Sequence, residues 1–255
     1  MRRFARRRRT GIIEASGFPD VLPCARAADG RRAMPRMGFP ERTTTGYADR
    51  RHAGRVLAQR MTGLDLVDPV VLGLARGGVP VAAEVARMLQ APLRVCVARK
   101  IGAPSQPELA VGAVTADGPP SYDQQLVRSF HLDERTLQAA CERERAEARR
   151  RERLFQRGEP LPLAGRDVVL VDDGLATGAT ARAAVRMLRG SAPRSVVLAV
   201  PVGAPDAVAA LRAEADVVVC VLQPVGFAAV GQWYRDFNAT TDEEIFEILQ
   251  DLDQP

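Results

Sequence analysis

Short runs built almost wholly from valine, leucine and alanine recur down the chain: VVLGL at 70–74, LRVCVA at 93–98, DVVLV at 167–171, SVVLAVP at 195–201 and VVVCVL at 217–222. A run that is apolar at nearly every position has no face to offer water, so it has to be covered on both sides. That is the strand type of parallel sheets flanked by helices. The segments between the runs, at 79–90, 179–189 and 205–214, have helix length and apolar positions at helical spacing. Strands alternating with helices at this spacing predict an α/β fold with an open, doubly wound, mostly parallel sheet. No internal repeat at a fixed period competes with it.

The remaining stretches modify this plan. Residues 47–61 place Ala53, Val56, Leu57 and Met61 on one helical face, with Gly63 just beyond as a stop. RKIGAPSQPELAVGAV, from Arg99, is expected to begin as a loop, since Pro104 and Pro107 oppose helix, and to end in a strand at about 109–114. A charged segment at 123–157, with Asp133 as N-cap, Gly158 as stop and a favourable Glu147–Arg151 spacing, predicts a helical insertion at about 121–160 that bridges two halves of the sheet. Five of the twelve aromatic residues (Phe227, Trp233, Tyr234, Phe237 and Phe246) fall after residue 222. A C-terminal hood at about 222–255, closed by a helix at 242–252, is the expectation there.

Composition excludes several classes. Cys24, Cys96, Cys141 and Cys220 lack CxxC spacing, which argues against a disulfide framework or a zinc site and for a reducing, cytoplasmic setting. No apolar run approaches eighteen residues, and the arginine-rich start lacks the apolar core of a signal peptide, so a soluble protein without a membrane partner is expected. The net charge of +5 owes much to RRFARRRR at the start, and the rest is nearly balanced, so specific nucleic-acid binding is not expected. Residues 1–40 read as a disordered Arg-rich tail or a mis-called start, with Met34 or Met37 as alternatives, and 41–255 as one domain. Of 36 basic residues only Lys100 is lysine, which suggests a role needing a compact ammonium that arginine's planar fork does not reproduce.

VVLVDDGLATGAT, residues 168–180, carries the chemistry. Ligands of open α/β sheets lie beyond the carboxyl ends of strands, where this segment, LGLARGG and RKIGAPSQPE all sit and should converge. The lysine of a nucleoside-triphosphate loop is absent, since Gly178, Ala179 and Thr180 occupy its place. The amides of Ala176 to Thr180 and the start of the helix at 179 suit a phosphate monoester. Adjacent Asp172 and Asp173 are costly unless they face a metal, donors or hydroxyls, and the vicinal hydroxyls of ribose supply such donors. Strand alternation lets one acid touch sugar directly while the other faces away.

VVLVDDGLATGAT resembles the phosphoribosyl-pyrophosphate motif of type I phosphoribosyltransferases: four apolar residues, two acids and a Thr-Gly loop. The resemblance extends over about residues 45–245, with LGLARGG similar to the family's pyrophosphate loop and RKIGAPSQPELA to its mobile catalytic loop. An uncharacterised bacterial subgroup of the family has the same combination. The resemblance implies a Rossmann-like fold and Mg2+-dependent transfer of phosphoribose from 5-phosphoribosyl 1-pyrophosphate to a nitrogenous acceptor, with a homodimer as the default assembly. A non-catalytic sensor of the same ligand is the alternative.

It also implies roles. Asp172 and Asp173 would hold the ribose hydroxyls and, largely through water, Mg2+. Ala176, Thr177, Gly178, Ala179 and Thr180 would cradle the 5′-phosphate. Arg76, Gly77 and Gly78 would meet pyrophosphate, with Arg99 and Lys100 as its cations. Phe227, Trp233 and Tyr234 are candidates to stack a planar acceptor, with core packing as the alternative. Glu108 would close the mobile loop or serve as a plain strand-edge acid. Two departures stand out: Gly174 replaces an aliphatic residue, which is expected to loosen the loop, and Ala176 stands where 6-oxopurine enzymes carry an acid, which speaks against hypoxanthine or guanine as acceptor.

Overall fold

The structure, a computed structural model, describes residues 46–103, 106–156 and 161–253. The expected N-terminal tail lies outside the described residues. The chain divides into Met1–Thr45 and Gly46–Pro255, and the second unit is the one described.

Its first helix, α1 (Arg50–Met61), starts where the Asp49 carboxylate accepts the His52 amide at 2.7 Å, and it leads to β1 (Val70–Leu74). Then come α2 (Gly78–Leu89) and β2 (Leu93–Cys96), and a side unit of β3 (Ala98–Ala103), β4 (Gln106–Thr115), β5 (Ser121–Tyr122), α3 (Gln124–Ser129) and α4 (Glu134–Phe155). The main alternation resumes with β6 (Asp167–Val171), α5 (Ala179–Gly190), β7 (Ser195–Val202), α6 (Pro205–Leu211) and β8 (Val217–Leu222). A 3-10 turn at Val230–Trp233 and α7 (Asp242–Asp253) follow.

Five parallel strands form the main sheet in the order β2-β1-β6-β7-β8. β1 and β6 are buried at every position because successive side chains meet different helix layers. Val71, Val169 and Val197 pack with Leu57, Val85 and Ile245, on α1, α2 and α7. Val70, Leu170 and Leu198 pack with Leu188, Val208 and Leu211, on α5 and α6. Burying each such leucine or valine contributes about 1.5–3 kcal/mol, so the doubly covered sheet carries the fold.

The opposite end of β6 is tied by Asp167, which is fully buried. It accepts Val67 N at 2.7 Å and Ser195 Oγ at 2.6 Å, and pairs with Arg194. Asp167→Ala leaves the Val67 amide without its carboxylate acceptor, and a loss of about 2 kcal/mol is expected. Urea unfolding should show a lower midpoint with an unchanged slope.

The side unit differs from the expected plain insertion. The strand expected over 93–98 stops at Cys96, and the stretch from Arg99 expected to begin as a loop is instead β3, antiparallel to β4, with register irregularities around Gly102. The charged helix is broken into α3 and α4, each opened by an aspartate: Asp123 accepts Gln125 N and Leu126 N, and Asp133 accepts Thr136 N. Ile101, Val111, Val114, Ala140 and Cys141 give the unit its own core. This unit adds a second sheet, and in chain order it stands between β1–β2 and β6–β8, joining the two halves of the first. The C-terminal region also divides: α7 packs on α2 through Ile245, Ile248 and Leu249, while the residues before it gather around Tyr47.

Candidate functional site

Counted along the chain, the parallel strands lie in the order 2-1-3-4-5, so the direction of winding reverses between β1 and β6. The chain leaves β1 toward β2 and leaves β6 toward β7, opening a crevice at their carboxyl ends, where doubly wound sheets bind ligands. The turn 75–78 and the segment 172–180 meet there. Ala75 N is held by Cys96 O at 2.8 Å, and the Ala75–Arg76 peptide is cis.

The two glycines of the turn are pressed onto the acids. A Cβ on Gly78 would stand 2.6 Å from Val171 O and 2.9 Å from Asp172 Cα. One on Gly77 would overlap Asp173 Oδ2, with Cγ 2.7 Å away. Gly174 is also a matter of space: a Cβ there would meet Val230 Cγ1 at 2.6 Å. The position is filled by a neighbour's side chain, which differs from the expected loosening.

Asp172 and Asp173 have different surroundings. Asp172 Oδ1 accepts the Asp173 amide at 2.9 Å. Burial, and then the Asp173 charge, push its carboxyl well above the usual range, while the charges of Arg50 and Lys100 act in the other direction. Asp173 Oδ2 takes Arg50 Nε at 2.8 Å, with the two side chains only 15% and 12% exposed. Burial raises Asp173, and Arg50 opposes it. Tyr234 Oη donates to the Asp173 carbonyl at 2.6 Å.

Arg50 belongs to no motif and was not among the residues singled out from sequence. One signal for it existed: it is the first residue of α1, where the helix dipole disfavours a cation, and no acid occupies that first turn. The neighbouring Arg51 shares that first turn and is exposed, so the sequence alone does not single Arg50 out.

Beyond the acids, Leu175 is buried and its amide is fixed by Val202 O at 2.9 Å, so the loop hangs from β7. Ala176 and Thr177 are exposed. Gly178 has φ +72°, a conformation glycine adopts without penalty, and it opens α5 with no side-chain cap. Thr177 Oγ1 lies 3.4 Å from Ala179 N. Amides at the start of α5 and two threonine hydroxyls therefore form an anion-seeking edge.

A cleft of about 540 Å3 lies beside it, lined in part by Ala75, Arg99, Lys100, Arg143, Glu144 and Thr180. All three segments expected to converge contribute to it or to the acid pair. Arg99 Nε is 3.1 Å from Glu144 Oε2, and Lys100 is exposed. Arg143 and Glu144, from α4, went unnoticed in the sequence because a solvated charged helix gives no sign of which face meets a cleft. Arg76 instead reaches Asp242 Oδ1 at 3.7 Å, at the start of α7. The side chain of Glu108 lies outside the described residues.

The aromatic candidates gather elsewhere. Phe227, Trp233 and Tyr234 belong to one cluster with Tyr47, Val202 and Phe237. Tyr234 is 3% exposed, with its ring 5.5 Å from that of Tyr47 and 5.0 Å from that of Phe237. A ring engaged with two aromatic neighbours, its hydroxyl bound to a backbone carbonyl, is a packing residue. Tyr234 therefore leaves the acceptor set; Phe227 and Trp233 are half-buried.

Among the described residues no group of three or more His, Cys, Asp or Glu forms a metal cage. The acid pair nevertheless fits Mg2+, which keeps water and binds through one or two carboxylates plus substrate oxygens. The raised Asp172 carboxyl is what a buried acid short of positive charge looks like. No described helix is long and apolar enough to cross a membrane.

Comparison with known proteins gives concordant findings. The model of a family described as phosphoribosyl transferase domain matches residues 47–232. Curated proteins from two strains of Mycobacterium tuberculosis, each named "Putative phosphoribosyl transferase", are 50% identical over 204 residues, covering 80% of this chain and 46% of theirs. The chain thus spans about half the length of the curated relatives it matches. The crystal structure of TT1426 from Thermus thermophilus is 46% identical, with a TM-score of 0.69 over 81% of this chain and 99% of that one.

Proposed function

The chain belongs to the phosphoribosyl transferase family, and on that premise we propose that it transfers phosphoribose from 5-phosphoribosyl 1-pyrophosphate to a nitrogenous acceptor with Mg2+, releasing pyrophosphate. The observation that carries this reading is the meeting of the acid pair with the 75–78 turn in the β1/β6 crevice, beside a cleft that has both Lys100 and Thr180 on its walls. Three chemistries needed by one ligand fall together: acids for ribose hydroxyls, helix-start amides for a monophosphate, and cations for pyrophosphate.

In the reaction, the bond from the anomeric carbon to pyrophosphate oxygen breaks and its electron pair leaves with pyrophosphate. A bond from that carbon to the acceptor nitrogen forms, and the acceptor sheds an N–H proton. Positive charge grows on the ribose and negative charge on the leaving group, so catalysis falls to prepositioned opposite charges. Asp172 and Asp173 hold the 2′ and 3′ hydroxyls. The amides of Ala176 to Thr180, with the hydroxyls of Thr177 and Thr180, hold the 5′-phosphate. Arg99 and Lys100 receive the pyrophosphate charge, beside the backbone of Arg76, Gly77 and Gly78. Asp172 and Asp173 would hold Mg2+, which would supply Lewis-acid neutralisation of substrate oxygens when bound. Ala176 puts no carboxylate near the acceptor, which favours acceptors other than 6-oxopurines.

The test is incubation with Mg2+, 5-phosphoribosyl 1-pyrophosphate and a panel of nitrogenous acceptors, following pyrophosphate. Release that depends on one acceptor supports transfer. Binding with no release for any acceptor assigns the chain to sensing, and no stabilisation of the protein by the ligand removes both readings.

A further inference from the structure

Arg50 and the aromatic residues after β8 have no part in that mechanism, yet they surround one of its acids. Arg50 reaches three partners: Nε donates to Asp173 Oδ2 at 2.8 Å, Nη1 donates to Asn238 O at 2.6 Å, and the guanidinium carbon lies 3.9 Å from the centre of the Phe237 ring. The segment that carries Phe237 is sewn to the start of α1. Tyr47 N donates to Trp233 O at 2.7 Å, Arg235 N to Tyr47 O at 2.8 Å and Asp236 N to Ala48 O at 2.9 Å. Tyr234 Oη closes the ring of contacts on the Asp173 carbonyl. Gly77 stands against the same carboxylate oxygen that Arg50 holds, where a Cβ would also lie 3.2 Å from Arg50 Nε. Asp173 is thus held at its carboxylate by Arg50 and at its carbonyl by Tyr234, both belonging to one laced block.

We propose that Arg50 is the positioning residue for Asp173, and that the aromatic segment 233–238 is the brace that keeps Arg50 in place. This rests on the reading of Asp173 as a ribose-holding acid. The aromatic cluster then serves the sugar end of the site, in place of stacking an acceptor. The planar fork suits this role, since one edge meets the carboxylate, another the Asn238 carbonyl, and its face lies on Phe237, a geometry that lysine's point charge cannot copy. With one oxygen fixed by Arg50 and its backbone by Tyr234, Asp173 offers the ligand its second oxygen from a single conformation, the preorganisation that binding rewards. Without Arg50 the carboxylate is buried beside Asp172 with its cation gone.

Two probes separate this role from general damage: ribose 5-phosphate, whose hydroxyls reach the acids, and inorganic pyrophosphate, which does not need them. Both are titrated calorimetrically against the full chain without Mg2+, so that pyrophosphate cannot reach the acids through the metal. Arg50→Met is expected to weaken ribose 5-phosphate tenfold or more and to leave pyrophosphate within twofold. Arg50→Lys should recover only part of the loss, and Phe237→Leu should show the same selectivity at smaller size. Arg50→Met added to Asp173→Asn should cost little more than Asp173→Asn alone, because the two act as one unit. Unchanged or tighter ribose 5-phosphate binding in Arg50→Met, or an equal loss for both probes, overturns the proposal. Phe237→Leu and Arg50→Lys decide it in the same way if Arg50→Met does not fold. A wild-type chain that binds neither probe fails at the earlier step and overturns the phosphoribosyl reading of the site itself.

Discussion

Replacing Lys100 by alanine is expected to lower turnover about a hundredfold and to leave the fold intact. Lys100 sits in β3 opposite Ala113, and its side chain is exposed on the cleft wall, so the core of the side unit, built on Ile101, Val111 and Val114, loses nothing. Its charge acts on Asp172, and it lines the same cleft as Ala75 and Thr180. Removing one prepositioned charge from a developing anion raises the barrier by about 3 kcal/mol, on the order of a hundredfold in rate. Lys100→Arg should restore little, because a planar, weakly hydrated fork is a poor substitute for a mobile point charge. The measurement is kcat for pyrophosphate release with the identified acceptor, beside a thermal melt. An unchanged kcat with an unchanged melt would remove Lys100 from the mechanism.

The second large effect is expected from a single methyl group. Gly77 has φ −62° and ψ −30°, ordinary right-handed backbone open to alanine, so nothing in its conformation demands glycine. Space demands it: the added Cβ would overlap Asp173 Oδ2, lie 2.7 Å from Asp173 Cγ and 3.2 Å from Arg50 Nε. Gly77→Ala must therefore swing the carboxylate away and break its bond to Arg50. Displacing a substrate-holding group by about 1 Å costs on the order of a hundredfold in kcat/KM. Gly63→Ala is the control, since a Cβ there meets nothing within 4 Å and activity should not change. Ribose 5-phosphate affinity should fall in Gly77→Ala alone, and equal affinity in both variants would contradict the packing argument.

Much of the scaffold was legible. β1, β6 and β8 begin and end where the sequence reading puts them, because an apolar run flanked by Gly, Asp or Pro has its ends encoded locally; β1 and β6 are also buried throughout, whereas β8, at the edge of the sheet, is only half-buried along its length. The start of α4 was legible for the same reason, since Asp133 caps it through a contact three residues away. β3 was not. ARKIGA reads as a loop because its pairing with β4 and its cover from α4 are supplied by other segments. Tyr234 was left between stacking and packing on similar grounds: an aromatic near a chain end looks the same in sequence whether it faces a ligand or lies between Tyr47 and Phe237.

The acid pair and the glycine-threonine loop could be read from the chain because they depend on neighbours a few residues apart, and Lys100 because it is the single lysine among 36 basic residues. Which acid is held, and by what, could not. Arg50 and Asp173 are 123 positions apart and meet only because β1 and β6 lie side by side at the point where the sheet reverses its winding, bringing the start of α1 and the residues after β8 to one place. The two glycines of the 75–78 turn are glycines partly for that reason. Their lack of side chains is written in the sequence, but the carboxylates that fill the space exist only in the folded molecule.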